Sequence, residues 1–332
     1  MKVQCELCPK MCLIGPGQSG ECRVRINADG VLQTVVYGFP CSIHIDPIEK
    51  KPLFHFLPAS TIFSIATVGC NLHCKNCQNW EISQRNPEET EALYPAVQEL
   101  GKWWPPQRLI EWAKRRDCPS LAYTYTDPII FYEYTYDTSK LAREANIRNV
   151  LVTAGYINKD PWKHLLEVVD AANIDLKGIT NDFYVQVCSG TLKPVQEALV
   201  TARESGILVE VTNLIIPTLN DKPEQIRELA RWVRENLSSE TPLHFSRFFP
   251  HHKMRHLPWT SPKTLDMARE IAMSEGLYYV YIGNLRSKAG QNTYCPNCKR
   301  LLIERSGYTI LQNQLRDGRC PDCDREIYGV WK

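Results

Sequence analysis

Short apolar segments alternate with amphipathic segments along most of this chain. Beyond Thr61, strand-like runs are predicted at 62–68, 121–126, 149–154, 173–177, 207–216, 243–248 and 278–282. Segments with helical periodicity lie between them, for example 107–116, 223–236 and 262–274, the last with Ser261 as its predicted N-cap. Because alternation of this kind gives a parallel sheet covered by helices, the pattern predicts an α/β fold. Residues just after each strand are candidates for function, because active sites of such folds lie there.

The first sixty residues have a different pattern. Residues 24–37 alternate as two strands around Asp29 and Gly30, which predicts a β-hairpin because Asp-Gly favours positive φ. The proline-rich segment 40–58 is predicted to be an ordered linker, and its polar side chains are His44, Asp46, Glu49, Lys50, Lys51 and His55. These side chains either line the mouth of an active site or are solvated charges of a linker, and both interpretations stay open.

Composition narrows the classes of protein. The 332 residues are enough for one large core with small appendages, and the formal net charge of +2 favours neither a nucleic-acid-binding nor an acidic surface. The start of the chain has no apolar signal region, and no apolar run is long enough to span a bilayer, so we expect a cytoplasmic protein without a membrane partner. In a reducing compartment, fourteen cysteines favour metal binding over disulfides.

The central group of cysteines is Cys70, Cys74 and Cys77, spaced C-x3-C-x2-C directly after a predicted strand that ends at Gly69. A [4Fe–4S] cluster takes four cysteine ligands, so three thiolates on one loop leave one iron with an open position. A structural zinc site would normally close its fourth position. The spacing therefore predicts a cluster whose open iron binds a substrate or cofactor.

Two further groups of four cysteines lie near the ends of the chain. The first group is Cys5, Cys8, Cys12 and Cys22; its spacing suits zinc or an auxiliary iron–sulfur cluster, with zinc slightly favoured. The second group is Cys295, Cys298, Cys320 and Cys323, two C-x2-C pairs that predict a zinc ribbon, with rubredoxin-like iron as the alternative. Cys41 and Cys118 are expected to be structural.

The cysteine loop and its surroundings resemble a known family. C-x3-C-x2-C after a first strand resembles the radical S-adenosylmethionine (SAM) superfamily. The segments 77–84 and 46–53 more specifically resemble the radical SAM protein of the AmmeMemoRadiSam group, which is related to pyruvate formate-lyase activating enzymes. The resemblance implies a partial (β/α)6 TIM-like barrel at 58–290, between a cysteine-rich segment at 1–57 and a zinc-ribbon-like domain at 291–332. It also implies an oxidoreductase that cleaves SAM reductively to a 5′-deoxyadenosyl radical and abstracts hydrogen from an unidentified substrate.

The resemblance also implies which strand ends hold SAM. The residues expected in this pocket are Tyr125, Thr126, Asp127, Thr153, Asp175, Lys177, Asn213 and Ile282. Asp127 stands where the group usually has glutamate, so the carbonyls of Tyr125 and Thr126 are expected to contribute. Asp175 and Lys177 are two apart and therefore point to one face of a strand. Cys188 is either a hydrogen-atom donor in a radical relay or, as is commoner, a buried inert thiol.

Partners follow from the same resemblance. A one-electron reductant such as ferredoxin or flavodoxin is implied, and the group name implies proteins resembling Memo and AMMECR1. One alternative function is activation of a glycyl radical enzyme. Another is a non-catalytic metal-binding scaffold for RNA or protein, although the modest charge and the lack of an aromatic RNA-binding signature count against RNA.

Overall fold

The computed structural model describes residues 1–86 and 103–332. The N-terminal part contains two antiparallel pairs of short strands, β1 (Val3–Gln4) with β2 (Leu13–Ile14) and β3 (Arg25–Ala28) with β4 (Val31–Thr34). The second pair is the predicted hairpin. Asp29 and Gly30 at its turn both have positive φ, as their sequence indicated.

One sheet organises the chain between residues 42 and 283. Its eight strands are β5 (Ser42–Pro47), β6 (Thr61–Ala66), β7 (Ser120–Tyr123), β8 (Arg148–Thr153), β9 (Ala171–Asp175), β10 (Leu208–Ile215), β11 (Leu243–Arg247) and β12 (Val280–Gly283). They lie side by side in chain order, and β6 to β12 are parallel. Because β5 and β12 are the two edges, the sheet is open. The predicted α/β fold is confirmed.

The edge strand β5 was not predicted. It pairs antiparallel with β6 along its whole length, from Ser42 opposite Ala66 to Pro47 opposite Thr61. The prediction of a linker is therefore wrong for these residues. A proline is tolerated at the end of an edge strand, where a missing N–H breaks no ladder, and this is why proline content misled the prediction.

Helices cover the outer face of the sheet. In the described residues they are α1 (Trp80–Ser83), α2 (Pro106–Arg115), α3 (Tyr132–Glu144), α4 (Lys159–Leu166), α5 (Asn181–Phe183), α6 (Leu192–Glu204), α7 (Pro223–Asn236), α8 (Pro262–Ser274) and α9 (Lys288–Gln291). A π-helical turn, Tyr184–Cys188, continues α5. The predicted cap of α8 is confirmed, because the Thr264 N–H donates to Ser261 Oγ at 3.1 Å. None of the described helices is both long and apolar enough to cross a bilayer.

The last forty residues form a small sheet of β13 (Thr293–Tyr294), β14 (Leu301–Ser306) and β15 (Thr309–Asn313). The final segment then returns to the main sheet. The Leu57 N–H donates to the Val330 carbonyl and the Val330 N–H donates to the His55 carbonyl, both at 2.7 Å. The Val209 N–H donates to the Tyr328 hydroxyl at the start of β10. The C-terminal unit therefore packs at the amino ends of the strands.

Candidate metal centre and cofactor pocket

The loop with the central cysteines begins at the carboxyl end of β6. Gly69 opens it with φ +94°, and a Cβ there would lie 2.5 Å from the Cys22 carbonyl oxygen, so only glycine fits. The backbone N–H groups of His73 and Lys75 donate to the carbonyls of Cys188 and Val187, at 3.0 and 2.9 Å. The loop is therefore clamped between the N-terminal segment and the π-helical turn.

The three thiols of this loop match the donor set of a cluster. In the described chain, Cys70, Cys74 and Cys77 do not bring their sulfurs within 4.8 Å of one another, as ligands of a single ion would. Each cysteine of a cubane cluster binds a different iron, so its sulfurs stand further apart. The Leu72 N–H donates to Cys70 Sγ at 3.4 Å, and Ser83 Oγ lies 3.2 Å from Cys77 Sγ. These residues fit a [4Fe–4S] cluster.

Cys188 lies directly against this loop. It is fully buried in the π-helical turn, and its thiol forms a hydrogen bond with Cys74 that lowers the pKa of Cys74. Sequence spacing had left Cys188 without a location. Cys188, Cys41 and Cys118 all belong to the apolar core, and Cys188 is placed there next to Cys74, a proposed cluster ligand.

A charged pair follows β9 on the same side as the loop. Lys177 Nζ lies 2.7 Å from Asp175 Oδ2, and both side chains remain partly exposed. The charges of Lys177 and Asp175 act on Cys74, which places the pair beside the cysteine loop. The predicted alignment of Asp175 and Lys177 is therefore present, although β9 ends at Asp175 and Lys177 lies just beyond it.

Thr212 is a further candidate that the sequence reasoning missed. It is paired with Asp175 across β9 and β10, and its buried hydroxyl has no hydrogen-bond partner in the described structure. Asn213, the predicted residue, instead donates from Nδ2 to the Leu176 carbonyl at 2.7 Å. The period of two along β10 was the available signal, because it places Thr212 on the same face as Glu210 and leaves Asn213 on the opposite face.

Asp127 and Thr153, both predicted to hold SAM, form a hydrogen bond with each other. Thr153 Oγ1 donates to Asp127 Oδ1 at 2.9 Å, and the Ala154 N–H donates to Oδ2 at 2.9 Å. The Ile129 N–H also donates to this carboxyl group, whose pKa is raised by burial. Asp127 therefore joins the ends of β7 and β8. This geometry gives it a positioning role for the loops that would surround SAM.

Tyr125 and Thr126 shape the loop after β7. Tyr125 has φ +63°, and the strand ends at Tyr123, three residues earlier than predicted. The Tyr125 carbonyl accepts a hydrogen bond from Asn79 Nδ2 at 2.6 Å. Thr126 Oγ1 donates to the Thr67 carbonyl at 2.9 Å. This loop is thus hydrogen-bonded to residues on both sides of the three cysteines. Ile282 is buried in β12 opposite Phe245, where its backbone is part of the parallel ladder.

A polar cluster on the concave face of the sheet includes the Tyr125 side chain. The Tyr125 hydroxyl donates to Asp46, which also accepts from Lys51 Nζ at 2.5 Å and Lys50 Nζ at 2.8 Å. Burial of Asp46 raises the pKa of its carboxyl group, but the three hydrogen bonds outweigh this effect and hold that pKa below its usual value. Burial also lowers the pKa of Lys51 to about 8. For Asp46 and Lys51, the interpretation as solvated linker charges is wrong.

The rest of the segment 48–58 closes the amino end of the concave face. Glu210 accepts from the Phe54 and His55 N–H groups at 3.1 and 2.7 Å, and from His244 Nε2 at 2.6 Å. His55 Nε2 lies 2.6 Å from the Tyr281 hydroxyl. We call this buried network the plug. The plug therefore fills the amino end of the concave face.

The C-terminal cysteines form a compact site. In the described residues, Cys295, Cys298, Cys320 and Cys323 place all four sulfurs within 4.8 Å of one another. Two pairs lie at 3.5 and 3.6 Å, close to the ~3.8 Å that a tetrahedron with zinc–sulfur bonds of about 2.3 Å requires. The two C-x2-C turns match, because Lys299 and Asp324 follow them with positive φ. The predicted cysteine cluster is confirmed, and its donor set fits one tetrahedral ion.

The N-terminal cysteines share one cavity. Cys5, Cys8, Cys12 and Cys22 line one cavity next to the cysteine loop. Asn71 of that loop also lines the cavity. The four residues thus lie around one cavity, but in the described chain no three of their sulfurs lie within 4.8 Å of one another, as those of the C-terminal four do.

Comparisons with known proteins agree with this geometry. Residues 64–233 match the family model of the radical SAM superfamily. "Uncharacterized protein MJ0808" of Methanocaldococcus jannaschii is 48% identical over 328 residues, which cover 98% of this chain and 95% of that protein. A pyruvate formate-lyase-activating enzyme of Clostridium pasteurianum is 23% identical over 169 residues, which cover 50% of this chain and 66% of that enzyme.

One solved structure with a similar fold is a radical SAM methyltransferase from Sphaerobacter thermophilus. Its TM-score is 0.52 at 16% identity, and the match covers 74% of this chain and 71% of that one. At this identity the likeness concerns the fold alone. The family match spans the cysteine loop and most of the parallel sheet, and the chain therefore belongs to the radical SAM superfamily.

Proposed function

We propose that this protein is a radical SAM enzyme that acts on a substrate held against the concave face of its sheet. The observation that carries the proposal is the position of the cysteine loop. Three thiols spread over one loop, Cys70, Cys74 and Cys77, lie beside the charged pair of Asp175 and Lys177. A cluster and a zwitterionic ligand bound to it would need this combination of groups.

When bound, the cluster and SAM supply reductive cleavage of SAM to methionine and a 5′-deoxyadenosyl radical, which abstracts a hydrogen atom. The residues of the chain bind and orient these two groups. Asp175 would accept hydrogen bonds from the ammonium group of SAM, and Lys177 would donate to its carboxylate, because each would then meet a charge of opposite sign. Thr212, with an unpaired buried hydroxyl, supplies a further hydrogen bond. Thr153 and Asp127 keep the surrounding loops in place.

The concave face supports the binding of a substrate rather than of a scaffold partner. Its amino end is filled by the plug, and Asp46 on the edge strand β5 forms hydrogen bonds with Lys51 and Tyr125. Such a site excludes water on one side while offering a carboxylate, an ammonium group and a phenol for recognition. Exclusion of water protects a reactive intermediate from side reactions.

Binding of SAM can be tested apart from turnover. The reconstituted protein, reduced with dithionite, should bind SAM and change its electron paramagnetic resonance (EPR) spectrum. Asp175→Asn should retain the iron but bind SAM more weakly. Asp182→Asn, an exposed aspartate seven residues away, is the matched control and should behave as wild type. Retention of full SAM affinity in Asp175→Asn would count against the proposed pocket.

A second candidate function is activation of a glycyl radical enzyme. The similarity to the Clostridium pasteurianum activating enzyme favours it, and Asp175-Leu176-Lys177 resembles a segment of such activases. A direct test is incubation of the reduced protein and SAM with pyruvate formate-lyase. A glycyl radical signal in the EPR spectrum would support activation, and its absence while SAM is cleaved would exclude this substrate.

The finer assignments remain proposals. We propose zinc for the C-terminal site on the strength of its sulfur spacing, and membership of the AmmeMemoRadiSam group on the segments 46–53 and 77–84. That membership would bring Memo-like and AMMECR1-like partners, and the chemistry requires a one-electron reductant of the ferredoxin or flavodoxin class. We also propose three units, 1–57, 58–290 and 291–332, with β5 joining the first unit to the sheet of the second.

A further inference from the structure

The N-terminal cavity has the composition of a metal site. It is lined by the sulfur-bearing side chains of Cys5, Cys8, Cys12 and Cys22, and its remaining lining is mainly apolar. The chain passes the cavity twice, with the Cys5 N–H donating to the Cys12 carbonyl at 2.9 Å. Gly20 lies against the Cys12 side chain, since a Cβ there would be 3.5 Å from Cys12 Sγ. The four thiols therefore converge from a rigid backbone.

The distances between these sulfurs distinguish two kinds of occupant. A single zinc ion holds its four sulfurs about 3.8 Å apart. The C-terminal cysteines have this spacing, with pairs at 3.5 and 3.6 Å. Among the described residues, no three of the four N-terminal sulfurs lie within 4.8 Å of one another, although all four side chains line the same cavity. The N-terminal sulfurs are therefore spread more widely than the four ligands of one zinc ion.

Donor groups around the cavity suit a large anionic occupant. Arg25 lines it and is 6% exposed, and its buried Nε has no hydrogen-bond partner in the described structure. Lys10 also lines the cavity, and its backbone N–H donates to Cys8. Iron–sulfur clusters accept hydrogen bonds through their sulfurs, so a buried N–H donor without a partner is explained if sulfide lies in the cavity.

We propose that Cys5, Cys8, Cys12 and Cys22 bind a second [4Fe–4S] cluster and that this site does not bind zinc. This reverses the slight preference for zinc that spacing in the sequence had indicated. Because all four irons would have a cysteine ligand, this cluster has no open position for SAM. The contact of Gly69 with the Cys22 carbonyl places it immediately behind the loop of the first cluster.

The two clusters can be counted separately by removing one set of ligands. In Cys70→Ala/Cys74→Ala/Cys77→Ala, the proposal predicts about four iron and four sulfide per chain, and an EPR signal after reduction that SAM does not change. Adding Cys8→Ala and Cys12→Ala should remove this iron while zinc at the C-terminal site is retained. Two zinc ions and no iron in the triple variant would overturn the proposal.

The wild-type protein gives a second measurement that does not depend on the folding of variants. It should contain about eight iron atoms and show two overlapping signals after reduction, only one of which changes on addition of SAM. About four iron atoms and a single signal that responds fully to SAM would contradict the second cluster but leave the proposed function intact. Eight iron atoms with no response to SAM would support the second cluster and count against the proposed function.

Discussion

Replacement of Gly69 by alanine tests how the N-terminal segment supports the cysteine loop. Gly69 has φ +94°, and the new Cβ would lie 2.5 Å from the Cys22 carbonyl oxygen and 2.7 Å from Val24 Cγ1. Positive φ costs a non-glycine residue about 1–2 kcal/mol, and forced overpacking against backbone adds roughly 1–3 kcal/mol. Gly69→Ala should therefore lower the free energy of unfolding by about 2–5 kcal/mol in total.

Gly206 provides the matched control for this prediction. It also has positive φ, +83°, but a Cβ there would meet no atom within 4 Å. Gly206→Ala should cost only the conformational strain of about 1–2 kcal/mol and should retain all of its iron. Gly69→Ala should in addition lose iron, because the Cys22 backbone and the Cys70 loop must separate. Denaturant unfolding and iron analysis of both variants give the comparison. Equal destabilisation with equal iron content would refute the proposed contact.

Three further predictions concern the pocket, the plug and the C-terminal site. Asp175→Asn should weaken SAM binding by roughly 10- to 100-fold in equilibrium dialysis, the loss expected for one charge-assisted hydrogen bond, and an unchanged affinity would exclude that contact. Burial lowers the pKa of His55 from 6.5 to about 4, so the unfolded chain binds the extra proton first and stability falls as the pH drops from 6.5 toward 4. At pH 5.5 this loss should be about 1.4 kcal/mol in denaturant titrations and smaller in His55→Asn, and an identical pH dependence in that variant would assign the slope to other groups. Cys298→Ser should release zinc without loss of iron in metal analysis, whereas loss of iron alone would place iron at that site.

The parallel strands were predictable because each is a short apolar run bounded by polar segments. Their ends were less predictable. The strand before Tyr125 stops early because that residue adopts positive φ, which its side chain does not indicate. The strand β5 was hidden by its proline, since an edge strand tolerates a residue that a central strand excludes.

Some residues of the candidate site could likewise be predicted from the sequence, and others could not. Cys70, Cys74 and Cys77 were identified from spacing, and Asp175 and Lys177 from a short motif. Asn213 was chosen by residue type, and the period of two along β10, which assigns faces, adds Thr212 as a candidate. The roles of Asp46 and Lys51 depend on Tyr125, about eighty positions away along the chain, and no local pattern shows such a contact.

The assignment of metals to the two outer sets of cysteines also depended on the three-dimensional structure. Each of the two sets of four cysteines offers four thiols, but their sulfurs are arranged differently in space. One set forms a compact tetrahedron and the other surrounds a cavity. Distances between sulfurs, which spacing along the chain does not determine, separate the two interpretations.

Formation of 5′-deoxyadenosine tests the central claim most directly. Anaerobically reconstituted protein is incubated with dithionite and SAM, and 5′-deoxyadenosine and methionine are quantified for the wild type, for Cys74→Ala and for Cys118→Ala as the control cysteine. The account predicts equal amounts of both products from the wild type and from Cys118→Ala, and none from Cys74→Ala. Equal product from Cys74→Ala, or no product from wild-type protein that carries its full complement of iron and binds SAM, would contradict it.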